Sequence, residues 1–256
     1  MKICRYKYNE EIRNGIVDDN IVFSLKNGED LISLQNQINL PEISIHIEKI
    51  ELLSPVNPSK IVCVGRNYAK HAAELGNAIP KEPLLFLKAP SSIITDGDPI
   101  QLPKQSNRVE FEGELAVIIG RVCKNLTEMD DPFDYILGFT CLNDVTARDI
   151  QQQDVQFTRA KSFDTFCPIS KFIETDLDTS DIRITTKING LIKQDARTSE
   201  MVFPIDYLIR YISNQMTLNV GDIVATGTPS GVSKQNVGDI CEVEIEGIGI
   251  LKNPVE

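Results

Sequence analysis

Three stretches of this chain carry residue types that can do chemistry together. In Val109-Glu110-Phe111-Glu112-Gly113-Glu114-Leu115-Ala116-Val117-Ile118-Ile119 the acids fall on every second residue. On a strand, that period places Glu112 and Glu114 on one face, about 6.6 Å apart along the chain, with Glu110 beside them. Like charges so placed repel unless a cation lies between them. The apolar run that follows reads as a strand buried on both faces, which puts the acids at the mouth of the core. A solvated acidic face is the alternative. Asp144, in Leu142-Asn143-Asp144-Val145-Thr146-Ala147-Arg148-Asp149, is a third candidate ligand, and an all-carboxylate set suits Mg²⁺ or Mn²⁺. The same segment also reads as an ordinary helix cap, with Asp149 pairing with Arg148 or the helix start.

The third stretch is Arg66-Asn67-Tyr68-Ala69-Lys70-His71-Ala72-Ala73-Glu74. On a helix His71 and Glu74 share a face, so the carboxylate can orient the imidazole and raise its basicity. A surface pair is the plainer account. By composition alone Lys161 is a solvated charge in a polar turn. Thr226-Gly227-Thr228-Pro229-Ser230-Gly231 is either a plain turn or a loop that offers backbone N–H groups to an anion. The other histidine, His46, alternates with Ile45 and Ile47 and reads as a strand residue without chemistry.

These residues need a frame. Short apolar runs bounded by Pro and Gly predict strands at 60–65, 84–87, 111–119, 137–143, 182–188, 222–226 and 241–246. Helical spacing predicts helices at 68–75, 147–153 and 205–213, the last with Ile205, Leu208, Ile209 and Ile212 on one stripe. Many short strands with few helices favour a mainly β, α+β architecture, a mixed β roll, over a doubly wound sheet. Residues 1–54 read as a small strand-rich N-terminal domain with an Asn27-Gly28 turn. The prolines of Ser54-Pro55-Val56-Asn57-Pro58 mark the boundary to a catalytic domain at 55–256. Val220-Gly221-Asp222-Ile223 and Val237-Gly238-Asp239-Ile240 are two strands, each entered by a Gly-Asp turn.

Composition narrows the function classes. The 256 residues are 41% hydrophobic and 25% charged, ordinary globular usage, and a core of this size needs no metal or disulfide staple. With 37 Asp and Glu against 26 Lys and Arg the net charge is −11, so neither nucleic acid nor an anionic membrane is an expected partner. No leader or spanning segment is evident, and the six cysteines form no C-x-x-C pair, which together predict buried, reduced thiols in a cytoplasmic protein. Neither G-x-G-x-x-G nor the P-loop pattern occurs, so no nucleotide cofactor is expected.

Taken in order, the segments resemble the fumarylacetoacetate hydrolase family from about Ile61 to the C-terminus. The resemblance rests on Gly65-Arg66-Asn67-Tyr68 with His71 and Glu74, Phe86-Leu87-Lys88, Glu112-Gly113-Glu114-Leu115, Asn143 to Asp149, Arg159 to Asp164, and Gly227 to Val232. Arg197-Thr198 before Met201, and Glu246-Gly247-Ile248-Gly249, are also similar. It implies a mixed β-sandwich roll, a homodimer, and Mg²⁺ or Mn²⁺ held by Glu112, Glu114 and Asp144. It further implies a small anionic 2-oxo acid as substrate, His71 and Glu74 as a water-activating pair on a short lid helix, and catalytic Lys161. Substrate contacts would come from Arg66, Gln151 and Thr228. Phe157 and Ser233 depart from the common pattern, which has Trp and Gly there, and either can reshape the pocket.

Cleavage of a C–C bond in an acylpyruvate-type 2-oxo acid is the first functional expectation. Isomerisation, tautomerisation or decarboxylation of the same class of acid is close behind. A 2-oxo acid binder without chemistry is a third, which the intact His71 and Glu74 pair argues against.

Overall fold

The computed structural model describes residues 1–25 and 43–256, so the Asn27-Gly28 turn lies outside the described residues. The chain begins with β1 (Lys2–Tyr8), β2 (Glu11–Asp18), β3 (Ile21–Ser24), β4 (Ser44–His46) and β5 (Glu51–Leu52). After the prolines come β6 (Ile61–Gly65), helix α1 (Ala69–Glu74), β7 (Leu84–Lys88), β8 (Ile93–Thr95), β9 (Val109–Glu110), β10 (Gly113–Ile119), β11 (Ile136–Asn143) and β12 (Thr146–Ala147). Short helices α2 (Arg148–Gln153) and α3 (Thr158–Lys161) lead to β13 (Cys167–Ile169), β14 (Phe172–Glu174), β15 (Arg183–Ile188) and β16 (Leu191–Arg197). Helix α4 (Ile205–Gln215), β17 (Ile223–Ala225), β18 (Ile240–Ile245) and β19 (Gly249–Pro254) follow.

This is the mainly β, mixed-sheet roll expected. Among the described residues a large sheet runs β4-β3-β2-β1-β14-β11-β10-β17-β6-β7, and a four-stranded sheet runs β16-β15-β18-β19. The N-terminal strands are hydrogen-bonded into the large sheet through β1, where Lys2 pairs with Glu174. Both Gly-Asp turns enter strands as expected, with Gly221 and Gly238 at φ +82° and +90°. The strand predicted from 111 starts at Gly113, and β8, β9, β12, β13, β14, β16, β19 and α3 lie outside the elements expected from sequence.

Strand β10 lies between β11 and β17 and is buried along its whole length. Its period of two then splits its side chains between two cores. Leu115, Val117 and Ile119 join the cluster that includes Leu208, Ile209 and Ile212 of α4 and Val243 of β18. Ala116 and Ile118 join a second cluster with Ile61, Cys63 and Ile223. By that parity Gly113 faces the four-stranded sheet and Glu114 the opposite side. A Cβ on Gly113 would come within 2.1 Å of Thr186 Oγ1, so only glycine lets the two sheets approach between the two glutamates. The six cysteines are free and buried, as expected, and burial pushes the thiols of Cys4, Cys141 and Cys167 up to about 12.

The proline junction is tied to the core by one carboxylate. Asp222 accepts from Ser59 N (2.9 Å), Ser59 Oγ (2.7 Å), Lys60 N (3.1 Å), Lys60 Nζ (2.5 Å) and Asn219 N (2.7 Å). Burial alone would raise its pKa, but these bonds outweigh that and hold it below 3.8. Asp222→Ala leaves buried donors orphaned and should cost about 3–5 kcal/mol in urea denaturation. The sign of the pH effect follows from the lowered pKa. The stabilisation is complete above pH 3.8 and is lost as the pH falls below that value toward the folded-state pKa, so acid unfolding of the variant should be less steep.

Candidate active site

The antiparallel β10–β11 ladder pairs Gly113 with Asn143 and Glu114 with Leu142. Just past its open end, Asp144 N donates to Glu112 O at 2.8 Å. This register brings together acids some thirty residues apart in sequence. Glu112, Glu114 and Asp144 are all buried, and one carboxylate oxygen from each lies within 4.8 Å of the other two. In an octahedral Mg²⁺ site with bonds of ~2.1 Å, ligand oxygens stand ~3.0 Å apart when adjacent and ~4.2 Å when opposite, so the three would draw closer together on holding an ion.

Glu110 does not join them. Residues 111 and 112 are not strand; β9 pairs instead with β12, and Glu110 turns to Arg108 Nε (2.6 Å) and Arg148 Nε (2.7 Å). The strand continuity assumed from the alternating acids breaks there. The helix-cap reading of Asn143 and Asp144 also gives way. The N-cap of α2 is Ala147 with no side-chain cap, and Asn143 Oδ1 accepts from Glu112 N at 2.9 Å; Asp149 binds Ser106 and Asn107 rather than Arg148, but it does meet the helix start, accepting from Ile150 N at 2.9 Å.

Three buried cations face these acids. Lys161, expected from composition to be solvated, is 1% exposed, and its Nζ donates to Glu112 Oε2 (2.8 Å) and Asp144 Oδ2 (2.6 Å). Lys88 Nζ donates to Asp144 Oδ1 at 2.7 Å, and Arg148 Nη2 donates to Glu112 Oε1. Neither Lys88 nor Arg148 was singled out for a role from sequence; a lysine in a strand ending Leu-Phe-Leu-Lys was the available signal.

The electrostatic outcome is uneven. Burial works against ionisation of Glu112, but Lys161, Arg148 and His71 outweigh it and hold the carboxyl well below the usual range. Glu114 has no such escort. Burial, then the charges of Asp144 and Glu112, push its pKa well above 4.5, with only Lys161 and the Gly227 N–H (2.8 Å) opposing. One carboxyl starved of positive charge, beside two that are paired with buried cations, is a donor set a hard dication fits.

On α1, His71 Nδ1 lies 3.3 Å from Glu74 Oε2, and Glu74 also accepts from Gly231 N at 3.1 and 3.2 Å. His71 is 4% exposed, so the surface-pair account fails. Gly231 has φ +106°, and a Cβ there would lie 2.0 Å from the Lys193 carbonyl oxygen, so the loop can offer this N–H only as glycine. Lys70 Nζ pins the outer face of α1 to Glu200 at 2.6 Å.

His71, the three acids and Lys161 line one cavity, together with Arg66, Gln151 and Thr228. Arg66 sits at φ +60° and, among the described residues, has no carboxylate partner, unlike the other cations of the site. Gln151 Oε1 accepts from Arg148 Nη1 at 2.5 Å. Thr228 Oγ1 donates to Gly113 O (3.0 Å) and accepts from Gln194 Nε2 (2.8 Å), so its hydroxyl proton points into the protein. Leu75, Leu84, Phe86 and Phe157 form an apolar wall. Phe157 meets Phe86 edge-on at 5.5 Å, and the Phe86 ring lies 5.0 Å from Lys161 Nζ. Ser233 is not part of the lining. Buried Gln194, which no sequence argument singled out, braces the site from β16.

Comparison with known proteins gives a consistent result. The family model described as fumarylacetoacetate (FAA) hydrolase C-terminal matches residues 60–256. An uncharacterized protein of Methanocaldococcus jannaschii is 49% identical over 219 residues, which are 86% of this chain and 92% of that one. A Xenopus laevis protein named as a mitochondrial oxaloacetate tautomerase is 40% identical over 219 residues, 80% of this chain and 68% of that one. The crystal structure of a 5-carboxymethyl-2-hydroxymuconate delta-isomerase from Mycobacterium smegmatis superposes with a TM-score of 0.87 at 39% identity, covering 100% of this chain and 98% of that one. Among the described residues no helix is long and apolar enough to cross a membrane.

Proposed function

The chain belongs to the fumarylacetoacetate hydrolase family, a family of enzymes, and from that premise we propose that it moves a proton on a small 2-oxo acid, interconverting its enol and keto forms. The observation that carries this is the shared cavity: a buried imidazole held by a carboxylate, beside three acids able to hold a divalent cation, with one unpaired guanidinium. Glu112, Glu114 and Asp144 would hold Mg²⁺ or Mn²⁺, which when bound supplies Lewis acidity at a substrate oxygen. Arg66 has no acid to neutralise and is the residue to meet the substrate carboxylate. Lys161 and Gln151 reach substrate oxygens from the same wall.

Glu74 facing Nδ1 keeps a proton there and leaves Nε2 as the basic nitrogen. In tautomerisation one proton leaves the enol oxygen and one arrives at the neighbouring carbon. His71 can hold that proton between the two events, and Glu74 stabilises the imidazolium meanwhile. The names of the Xenopus and Mycobacterium relatives support this order of preference. Cleavage of an acylpyruvate by an activated water is the second reading, favoured by the apolar wall that suits an acyl chain and by the same His71–Glu74 pair.

Product analysis separates the two. With Mg²⁺ or Mn²⁺ present, oxaloacetate should lose its enol absorbance faster than without enzyme while the carbon skeleton stays whole. Two fragments from an acylpyruvate, with no acceleration of the enol–keto exchange, would overturn the first reading in favour of the second. Carbon dioxide release would point to decarboxylation.

A further inference from the structure

We propose that Gln194 is the positioning residue that sets the three acids and the His71–Glu74 pair at a working distance from each other; this rests on the metal-site reading above. Gln194 is fully buried on β16, outside the cavity lining, and no other member of the site comes from the four-stranded sheet. Its Oε1 accepts from Gly113 N at 3.0 Å. Its Nε2 donates to Thr228 Oγ1 (2.8 Å) and Pro229 O (2.7 Å). Both polar atoms of this amide are therefore spent on two pieces of chain, the Gly113 peptide and the 228–229 loop.

Those two pieces are the ones that matter. Gly113 separates Glu112 from Glu114, and its own carbonyl is held by Thr228 Oγ1, so its peptide is gripped on both sides. The loop 227–231 reaches Glu114 through Gly227 N and Glu74 through Gly231 N. Beside Gln194, the Lys193 carbonyl presses on Gly231 so closely that a Cβ would lie 2.0 Å away. A single strand edge thus sets both the glutamate pair and the loop that holds the base's partner. Groups that hold metal ligands in place in this way typically change metal affinity or activity 10- to 100-fold when lost.

The test is the metal alone, Mn²⁺, titrated into wild type, Gln194→Met and Thr228→Val, with the His71 imidazole signals compared by NMR in separate metal-free samples. The chain has only two histidines, so the His71 signal is separable from that of His46. Both variants should bind Mn²⁺ at least ~10-fold more weakly, and the His71 imidazole signals should shift and broaden as Glu74 loses its fixed position. Thr228→Val severs the same brace from the loop side, so it reports even where Gln194→Met folds poorly. A lowered unfolding midpoint with both readings unchanged, or movement of only one of them, overturns the proposal. A wild-type chain that binds no Mn²⁺ fails the metal-site reading itself, and the brace assignment falls with it.

Discussion

Glu114→Gln should bind Mg²⁺ or Mn²⁺ at least ~10²-fold more weakly and show no measurable turnover of 2-oxo acids, yet fold as stably as wild type in chelator. The asymmetry between the two outcomes is the point. Burial and the neighbouring charges of Asp144 and Glu112 push the Glu114 carboxyl's pKa well above 4.5 and so favour its neutral form, which an amide of the same shape replaces at little cost in chelator. Gly227 N, which donates to Glu114 Oε2, keeps an acceptor in the amide oxygen. Only the ionised, ion-holding form is lost. Calorimetric titration of the metal and chemical denaturation in EDTA read the two outcomes separately; undiminished turnover in metal-free buffer would refute the site.

The second large effect is expected at His71. His71→Ala should lower turnover by ~10²- to 10⁴-fold while oxalate, a non-reacting analogue, and Mn²⁺ bind within a few-fold of wild type. Among the described residues the imidazole makes no bond to the three acids and has Glu74 as its one polar partner, so its removal takes out a proton carrier and leaves the acids in place. Its positive form does help to hold Glu112 ionised, which allows a small effect on metal affinity but not a parallel one. Equal losses of affinity and rate would make His71 a binding residue instead. Steady-state kinetics with independent measurement of oxalate binding decide between the two.

Much of the site was legible because it depends on local periodicity. The alternation of acids pointed to Glu112 and Glu114 as neighbours, although Glu112 stands just before the ladder that begins at Gly113, and the i, i+3 spacing paired His71 with Glu74. The stripe of Ile205, Leu208, Ile209 and Ile212 gave α4, which is buried along that line. What composition alone misread were the long-range charge pairs. Lys161 meets Glu112 across 49 residues and Lys88 meets Asp144 across 56, and a lysine carries no local mark of such a partner. Gln194 was invisible for the same reason: its partner Gly113 is 81 residues away. Glu110 misled because alternation persists through residues 111–112, where the hydrogen-bonded ladder does not.

The ammonium of Lys161, seated between Glu112 and Asp144, supplies those two acids with a counter-charge from within the chain. Their burial therefore does not depend on an added ion, and a dication bound at Glu112, Glu114 and Asp144 would be expected to contribute little to folding itself.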